Sequence, residues 1–308
     1  MTVPAPLTGV IPPVCTPLTP DREVDVPSLV RLVDHLVAGG VDALFVLGTT
    51  SEAAYLTDAQ RRLVVETTTA HVAGAVPVLA GAIDMTTPRV LDHIRSVTAA
   101  GADAVVATAP FYTGTHPAEI ARHYRLLTAE SPVPVYAYDL PAGVHTKLRA
   151  DLILELAAEG AIAGLKDSSG DLANFRTVIT GTRSRPDFTL LTGSELTIDA
   201  ALAMGAHGSV PGLANIDPTG YVHLDRLCRA GDWDRARAEQ ERLCALFGMI
   251  GVGDPSRMGP SSSALGAFKA ALHLRGIIDC AATAEPQVPL SEAEVEQVGK
   301  YLAAAGLL

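Results

Sequence analysis

Cysteines are few in this sequence, and long apolar runs are absent. The four cysteines, Cys15, Cys228, Cys244 and Cys280, lie far apart, without a C-x-x-C pair or a histidine at zinc-ligand spacing. We therefore expect a protein of the reducing cytoplasm rather than a disulfide-stabilised one. The N-terminus lacks a basic segment followed by an apolar one, and no stretch of about eighteen apolar residues occurs. Neither secretion nor a membrane span is expected.

Basic residues are also scarce. Lys and Arg total 23 against 34 Asp and Glu, and the net charge of −11 has the wrong sign for binding a nucleic acid backbone. Nucleic acid is therefore disfavoured as the main ligand. The chain has 308 residues, 48% of them hydrophobic, which suits either two compact domains or one large α/β unit.

Short runs rich in Val, Ile and Leu recur along the first 220 residues, with segments of helical length between them. This alternation is typical of βαβ units, and each run is expected to be a parallel strand buried on both faces. Helix starts are also marked, since 57–60 fits a capping box and Pro88 and Pro117 suit a first helical position. The eight predicted strands are 9–18, 43–48, 77–82, 104–110, 134–139, 163–168, 189–194 and 208–212.

Eight such units can close into a barrel or form an open, doubly wound sheet. We predict a (β/α)8 TIM barrel of the α/β class, because the spacing is even and no G-x-G-x-x-G dinucleotide motif follows the first strand. Beyond residue 220 only helices are predicted. The expected organisation is a barrel over 1–220 that contains the active site, and a C-terminal helical extension over 221–308 that packs on it.

The carboxyl ends of the strands form the active site in such a barrel, and here they are rich in hydroxyl groups. The second strand ends in Gly48-Thr49-Thr50-Ser51-Glu52, the fourth runs into Pro110-Phe111-Tyr112, and the seventh ends in Gly193-Ser194-Glu195. The fifth and sixth strands end in Tyr138-Asp139 and Lys166-Asp167. The sequence therefore predicts a hydroxyl-rich mouth around one lysine.

Lys166 differs from the other lysines because it lies inside a predicted buried strand. Burial disfavours the charged ammonium, and a neutral amine can attack a ketone to form a Schiff base whose iminium stabilises a carbanion. An ion pair with Asp139 or Asp167 explains the same position equally well. The remaining lysines fall on helices or at the approach to one, where solvated or snorkelling side chains are expected; they are Lys147, Lys269 and Lys300.

Four hydroxyl-bearing residues are candidates to act with this lysine. Thr49 and Thr50 precede a helical segment, so their hydroxyl and backbone N–H groups could converge on a carboxylate; ordinary helix capping is the alternative. Tyr138 and Tyr112 could pass protons if a hydroxyl such as that of Thr49 links them. Packing is the alternative for a lone tyrosine at a strand end.

Two other kinds of site have less support. No H-x-H or H-E-x-x-H motif occurs, and His116 and His145, near the expected mouth, have no partnered carboxylate, so no metal site is expected. The glycine-rich turns at Gly193 and 208–212 could bind a phosphate. However, no basic residue lies beside them.

The ordered set of strand-end motifs resembles the dihydrodipicolinate synthase and N-acetylneuraminate lyase family of class I, pyruvate-dependent aldolases. The resemblance covers nearly the whole chain, and each motif falls at the matching strand end. The motifs are Gly48-Thr-Thr-Ser-Glu52, Pro110-Phe-Tyr112, Tyr138-Asp-Leu-Pro141, Gly164-Leu-Lys-Asp-Ser-Ser-Gly170, Gly193-Ser-Glu195, Gly205-Ala-His-Gly208 and Phe268-Lys-Ala-Ala-Leu272.

This resemblance implies a role for each candidate. Lys166 would form the imine with a 2-oxo acid, normally pyruvate, and Tyr138 would carry protons above it. Thr49 would link Tyr138 to Tyr112 of a neighbouring subunit, and Thr49 with Thr50 would hold the pyruvate carboxylate. The resemblance therefore implies a homo-oligomer, at least a dimer and in the family habit a tetramer, that acts on small molecules without a cofactor.

The sequence departs from the family pattern where the second substrate binds. The synthase usually has an arginine two residues after the strand-five proline, whereas this chain has Pro141-Ala142-Gly143. Leu196 and Gly212 occupy positions where sialic acid lyases have polar groups. The residues expected to bind substrate there are Gly193, Ser194, Glu195 and Pro211, with Ser168 and Asn215 beside them.

We therefore predict a cofactor-independent class I aldolase or lyase, similar to the 2-keto-3-deoxy sugar acid aldolases. It would make or cleave a carbon–carbon bond between pyruvate, or another 2-oxo acid, and an aldehyde. Alternatives with the same imine chemistry are a 4-hydroxy-tetrahydrodipicolinate synthase and a 2-oxo acid dehydratase, which product analysis separates. A further alternative is a barrel enzyme that depends on a divalent metal ion, and a chelator would abolish its turnover. A non-catalytic paralogue that binds a keto acid would be stabilised by it without turnover.

Overall fold

Eight parallel strands form a single sheet in the computed structural model, which describes residues 3–308. Each strand pairs with its neighbours in parallel, in the order β1-β8-β7-β6-β5-β4-β3-β2. The strands are β1 Gly9–Val10, β2 Leu44–Val46, β3 Val78–Gly81, β4 Ala104–Thr108, β5 Val135–Asp139, β6 Gly164–Asp167, β7 Thr189–Thr192 and β8 Gly208–Ser209.

Helices connect successive strands, as the alternating pattern predicts, and more helices follow the last strand. Thr57 caps α2 in a capping box with Gln60, and His116 caps α4 immediately before Pro117. The helices are α1 Val26–Ala38, α2 Asp58–Val72, α3 Thr87–Ala99, α4 Pro117–Glu130, α5 Pro141–Val144, α6 Ala150–Glu159, α7 Leu172–Gly181, α8 Ile198–Met204, α9 Pro218–Ala230, α10 Trp233–Phe247, α11 Pro260–Leu274 and α12 Glu292–Ala304.

The first and last strands are much shorter than the sequence predicts. The predicted strand 9–18 is regular only over Gly9–Val10, and 208–212 only over Gly208–Ser209. Proline explains both differences, since it cannot donate a ladder hydrogen bond, and Pro12, Pro13 and Pro211 stand just beyond the regular pairs.

The segment after β1 lies beside β2, so the two ends of the strand order meet. The N–H of Phe45 donates to the carbonyl of Pro12 at 3.0 Å, and the N–H of Val14 donates to the carbonyl of Phe45 at 2.8 Å. Pro13 and Phe45 form a parallel bridge. The sheet therefore curls until its edge strands come into contact.

Apolar side chains cover both faces of the strands. In β2 and β4, Phe45 and Val106 belong to a cluster inside the curled sheet, whereas Leu44 and Val105 belong to the larger cluster between sheet and helices. This alternation follows from the two-residue period of a strand. It explains why the sequence shows continuous apolar runs rather than alternating ones.

The C-terminal helices pack on the rest of the chain. Helix α9 follows β8 as the earlier helices follow their strands, so residue 220 lies within its first turn. The segment after α11 reaches α1, where the N–H of Asp279 donates to the Ser28 hydroxyl at 3.0 Å. Over residues 3–308, no helix is both long and apolar enough to cross a membrane.

Candidate active site

Lys166 points into the curled sheet from β6. The strand register pairs it with Tyr138 on β5 and Leu191 on β7, so these three side chains share one layer. Lys166 is 5% exposed, and its Nζ lies 3.7 Å from the centre of the Tyr138 ring and 5.1 Å from that of Phe45. The ammonium thus lies in an aromatic and aliphatic environment, as the buried strand predicts.

The two aspartates next to this layer bind a different lysine. Asp139 forms an ion pair with Lys147, and Lys147 Nζ also lies 3.8 Å from Asp167 Oδ2. Within residues 3–308, Lys166 forms no ion pair, so its predicted alternative role as a structural partner of Asp139 or Asp167 is wrong. Lys147, expected to be solvated or to snorkel, is partly exposed, with 27% of its side chain accessible, and it forms an ion pair as well.

The ion pair with Lys147 compensates the charge of the buried Asp139 carboxylate. Burial raises the pKa of Asp139, and hydrogen bonds from Lys147 and from the backbone N–H of Leu148 act against that rise. Asp167 accepts hydrogen bonds from the N–H and hydroxyl of Ser169. Both acids therefore have partners other than Lys166.

Tyr138 is the group best placed to exchange protons with a molecule bound at Lys166. It is 3% exposed, and its hydroxyl lies 3.4 Å from Thr49 Oγ1. Burial alone would raise the pKa of Tyr138, but the charge of Lys166 and hydrogen bonds with Lys166, Thr49 and Ser168 outweigh burial, and the pKa is lowered. The structure thus brings together three of the predicted residues, Lys166, Tyr138 and Thr49.

The turn after β2 presents the two threonines. Leu47 and Glu52 bracket it in the left-handed conformation, with φ of 57° and 59°. Ser51, fully buried, accepts a hydrogen bond from the N–H of Gly48 at 3.1 Å and donates to the carbonyl of Val14 at 2.5 Å. Ser51 thus fixes the turn through its hydroxyl, while Thr49 is exposed at the mouth and Thr50 is half-buried.

Gly193 brings the β7 backbone close to the lysine. A Cβ at this position would lie 2.1 Å from Ser168 Oγ and 3.4 Å from Lys166 Cε, so any larger residue would force the Ser168 hydroxyl to move. Ser194, the next residue, is half-buried, and its N–H donates a hydrogen bond to the Thr192 hydroxyl at 3.2 Å. Pro211, on the neighbouring β8 loop, is buried.

Glu195 is engaged by the loops around it. Its carboxylate accepts hydrogen bonds from the N–H of Gly212 at 2.8 Å and the hydroxyl of Tyr221 at 2.9 Å, and a longer one from Leu213. Burial raises the pKa of Glu195 to about 7, although these hydrogen bonds and the charge of Lys166 oppose it. Tyr221 was missed by the sequence reasoning, because nothing in the residues around it indicates a buried acid.

Two other residues expected at the mouth of the site, Asn215 and Tyr112, occupy different positions in the structure. Asn215 is fully buried and joins the β8 loop to the segment after β1, donating to Pro13 and accepting from Cys15, both at 2.9 Å. Tyr112 is 89% exposed, with a φ of 81°. Within one chain, the Thr49 hydroxyl therefore meets Tyr138, and Tyr112 extends into solvent.

Comparison with known proteins agrees with this geometry. The profile of the Dihydrodipicolinate synthetase family matches residues 6–305. A DapA-like lyase of Halobacterium salinarum is 32% identical over 302 residues, covering 98% of this chain and 95% of the relative. A 4-hydroxy-tetrahydrodipicolinate synthase of Methanosphaerula palustris is 31% identical over 291 residues, covering 94% and 95%.

Solved structures show the same similarity. The dihydrodipicolinate synthase of Bacteroides thetaiotaomicron superposes with a TM-score of 0.91 at 33% identity, covering 99% of this chain and all of that one (100%). YagE, a prophage protein of the dihydrodipicolinic acid synthase family from E. coli K12 in complex with pyruvate, gives a TM-score of 0.90 at 28% identity, covering 98% and 99%. The chain belongs to the dihydrodipicolinate synthetase family, as its residues predict, and it is a lyase of that family.

Proposed function

We propose that this protein is a Schiff-base lyase that joins pyruvate, or another 2-oxo acid, to an aldehyde or reverses that step. One observation carries the proposal: Lys166, a buried lysine with no carboxylate partner among residues 3–308, lies against Tyr138, whose hydroxyl meets Thr49. Support also comes from YagE, a structural relative that is described in complex with pyruvate. No cofactor is needed for this chemistry.

Each residue has a definite task in this reaction. The neutral Lys166 amine attacks the ketone carbon, the carbinolamine loses water, and the resulting iminium withdraws electrons from the adjacent carbon. Tyr138 delivers and removes the protons that these steps require, and Thr49 relays them toward the mouth. Thr50 and Thr49 hold the carboxylate of the 2-oxo acid, and Gly193, Ser194, Glu195 and Pro211 shape the side of the site where the aldehyde binds.

Borohydride tests the proposal, because it reduces an imine to a stable secondary amine. The protein treated with pyruvate and borohydride is expected to gain the mass of one reduced pyruvate per chain, whereas Lys166→Ala is expected to gain none. Lys147→Ala, which removes the other lysine near the site, serves as the matched control and should still be modified. Absence of any adduct on the wild-type chain would refute the imine mechanism.

A second candidate is 4-hydroxy-tetrahydrodipicolinate synthase, the name that several relatives carry. It shares the imine step and differs in the second substrate. The absence of an arginine in Pro141-Ala142-Gly143 favours an aldehyde without that carboxylate contact. Identification of the product formed from pyruvate with a panel of aldehydes separates the two candidates and a 2-oxo acid dehydratase.

We also propose the finer architecture that these contacts support. The meeting of β2 with the segment after β1 supports a closed (β/α)8 barrel. Residues 1–220 and 221–308 would be its catalytic part and its helical extension, with α9, the helix after β8, spanning the boundary between them. Tyr112, exposed in one chain, would enter the site of a neighbouring subunit in a dimer or tetramer. The free cysteines suit the reducing cytoplasm.

A further inference from the structure

A fully buried ion pair connects the turn that carries the threonines with the C-terminal helices. Glu52, the last residue of that turn, is 0% exposed, and Lys269, on α11, is 1% exposed. The two side chains form a direct ion pair. The prediction of a solvated or snorkelling Lys269 is wrong, because its side chain is buried against a partner that lies far away in the sequence.

Both partners make further contacts with the segment that follows α11. Glu52 Oε1 accepts hydrogen bonds from the N–H of Ala284 at 2.8 Å and from Nε2 of Gln287 at 3.1 Å. Lys269 Nζ donates to the carbonyl of Ala282 at 2.7 Å. A single carboxylate therefore ties the β2 turn to both α11 and 282–287.

Stability alone is a weak reason for such an arrangement. Moving two charges out of water is costly, and well-packed apolar residues often replace a buried pair without loss of stability. The directional contacts, however, restrain a backbone that is otherwise unfavourable. Glu52 adopts a φ of 59°, in the left-handed region that non-glycine residues seldom occupy.

We propose that Glu52 and Lys269 are positioning residues that hold Thr49 and Thr50 where the 2-oxo acid binds. The C-terminal helices thereby complete the active site without touching the substrate. This inference rests on the proposed function, since it assigns the threonines to the carboxylate and to the Tyr138 relay. An error of about 1 Å in such groups is enough to slow a reaction by about 100-fold.

The test uses a double variant, Glu52→Gln with Lys269→Met, because either single change leaves a buried charge without its partner. The double variant removes both charges, keeps an acceptor for Ala284 and Gln287, and is expected to fold. We expect it to need about 10-fold more pyruvate for half-maximal borohydride trapping. The single variant Lys269→Met should show the same change if it folds.

The control is Arg229→Met, which breaks an ion pair at the opposite end of the strands. Arg229 binds Asp225 at 2.6 Å and the carbonyl of His207, just before β8, at 2.8 Å. Arg229→Met should reach half-maximal borohydride trapping at a pyruvate concentration within twofold of the wild-type value. A folded double variant with the wild-type concentration dependence, or a control with an equal defect, would overturn the inference.

Hydrogen exchange gives a second readout that does not require the reaction. Amides of 48–52 should exchange about tenfold faster in the double variant than in the wild type or in Arg229→Met, because the turn loses its restraint. If the wild type is not trapped by pyruvate but exchange responds in this way, the proposed function fails and the positioning of the turn stands. Unchanged exchange of the turn would refute the positioning role.

Discussion

At the scale of single residues, the site depends on where each charge finds a partner. Two aspartates flank the Lys166 layer, yet both engage Lys147, which leaves the inner lysine against aromatic rings. A buried ammonium without a counter-ion is costly, and such cost is commonly found at functional sites. Side-chain alternation along β5 and β6 turns Asp139 and Asp167 away from the Lys166 layer, and Lys147 compensates their charge there.

Tyr138→Phe tests the proton carrier. Because it removes one hydroxyl and leaves the ring over Lys166, turnover is expected to fall by about 100-fold or more, with little change in the Michaelis constant for pyruvate. Steady-state kinetics provides the measurement. Tyr124→Phe is the control, since Tyr124 is equally buried but donates to the carbonyl of Ala107. Turnover of Tyr138→Phe near the wild-type rate would contradict the assignment.

Gly193→Ala tests the approach of the β7 backbone to the lysine. The added methyl group would displace the Ser168 hydroxyl and fill the space beside Lys166, so borohydride trapping should slow by about 10-fold or more. The rate of adduct formation is followed by mass spectrometry. Gly251→Ala is the control, because a Cβ at that position meets nothing within 4 Å. Equal trapping rates in the two variants would disprove this steric account.

At the scale of elements, Glu195 joins the ends of β7 and β8. Its pKa, raised to about 7 mainly by burial, means that the folded chain holds a proton that the unfolded chain releases near pH 4.5. This contribution to stability is present below pH 4.5 and is lost as the pH rises through about 7. Glu195 thus makes the loop junction sensitive to pH.

Glu195→Gln should remove this dependence, because glutamine resembles the protonated acid without ionising: its Oε1 can accept from Gly212 and its Nε2 can donate to the Tyr221 hydroxyl oxygen. The free energy of unfolding of the variant should equal that of the wild type near pH 4.5. At pH 8 it should exceed the wild-type value by up to about 3 kcal/mol. Denaturant titrations across this range provide the measurement. A difference that stays constant with pH would show that Glu195 does not titrate in this way.

The strand-end motifs could be predicted from the sequence because they are local. Lys166, Tyr138 and Thr49 each follow a recognisable apolar run, and parallel strands bring their carboxyl ends to one edge. Contacts between distant segments could not be predicted: nothing beside Lys269 reveals that its partner is Glu52, and nothing beside Glu195 reveals Tyr221. The predicted first strand is too long because the apolar residues of 9–18 indicate a strand, although Pro12 and Pro13 cannot donate its hydrogen bonds.

At the scale of the whole molecule, the most exposed of the candidate site residues is Tyr112. Tyr112 is 89% exposed and adopts a left-handed backbone, which is costly for a bulky residue. If Tyr112 enters the site of a neighbouring subunit, a chain that lacks Lys166 can still contribute its Tyr112 to the neighbour's site. Subunits with different defects should then restore one intact site in a mixed dimer.

Mixing Lys166→Ala with Tyr112→Ala tests this exchange. Each variant alone should be strongly impaired, whereas the mixture, after dissociation and reassociation, should regain activity. Turnover is measured against the summed activities of the unmixed variants. A mixture no more active than that sum, with mixed dimers demonstrated by mass, would show that Tyr112 does not cross between subunits.

The most direct test of the whole account is peptide mapping of the protein after treatment with pyruvate and borohydride. The account predicts that the reduced pyruvate is found on the peptide that contains Lys166 and on none that contains another lysine. An adduct on Lys147, Lys269 or Lys300 instead, or no adduct at all, would contradict it.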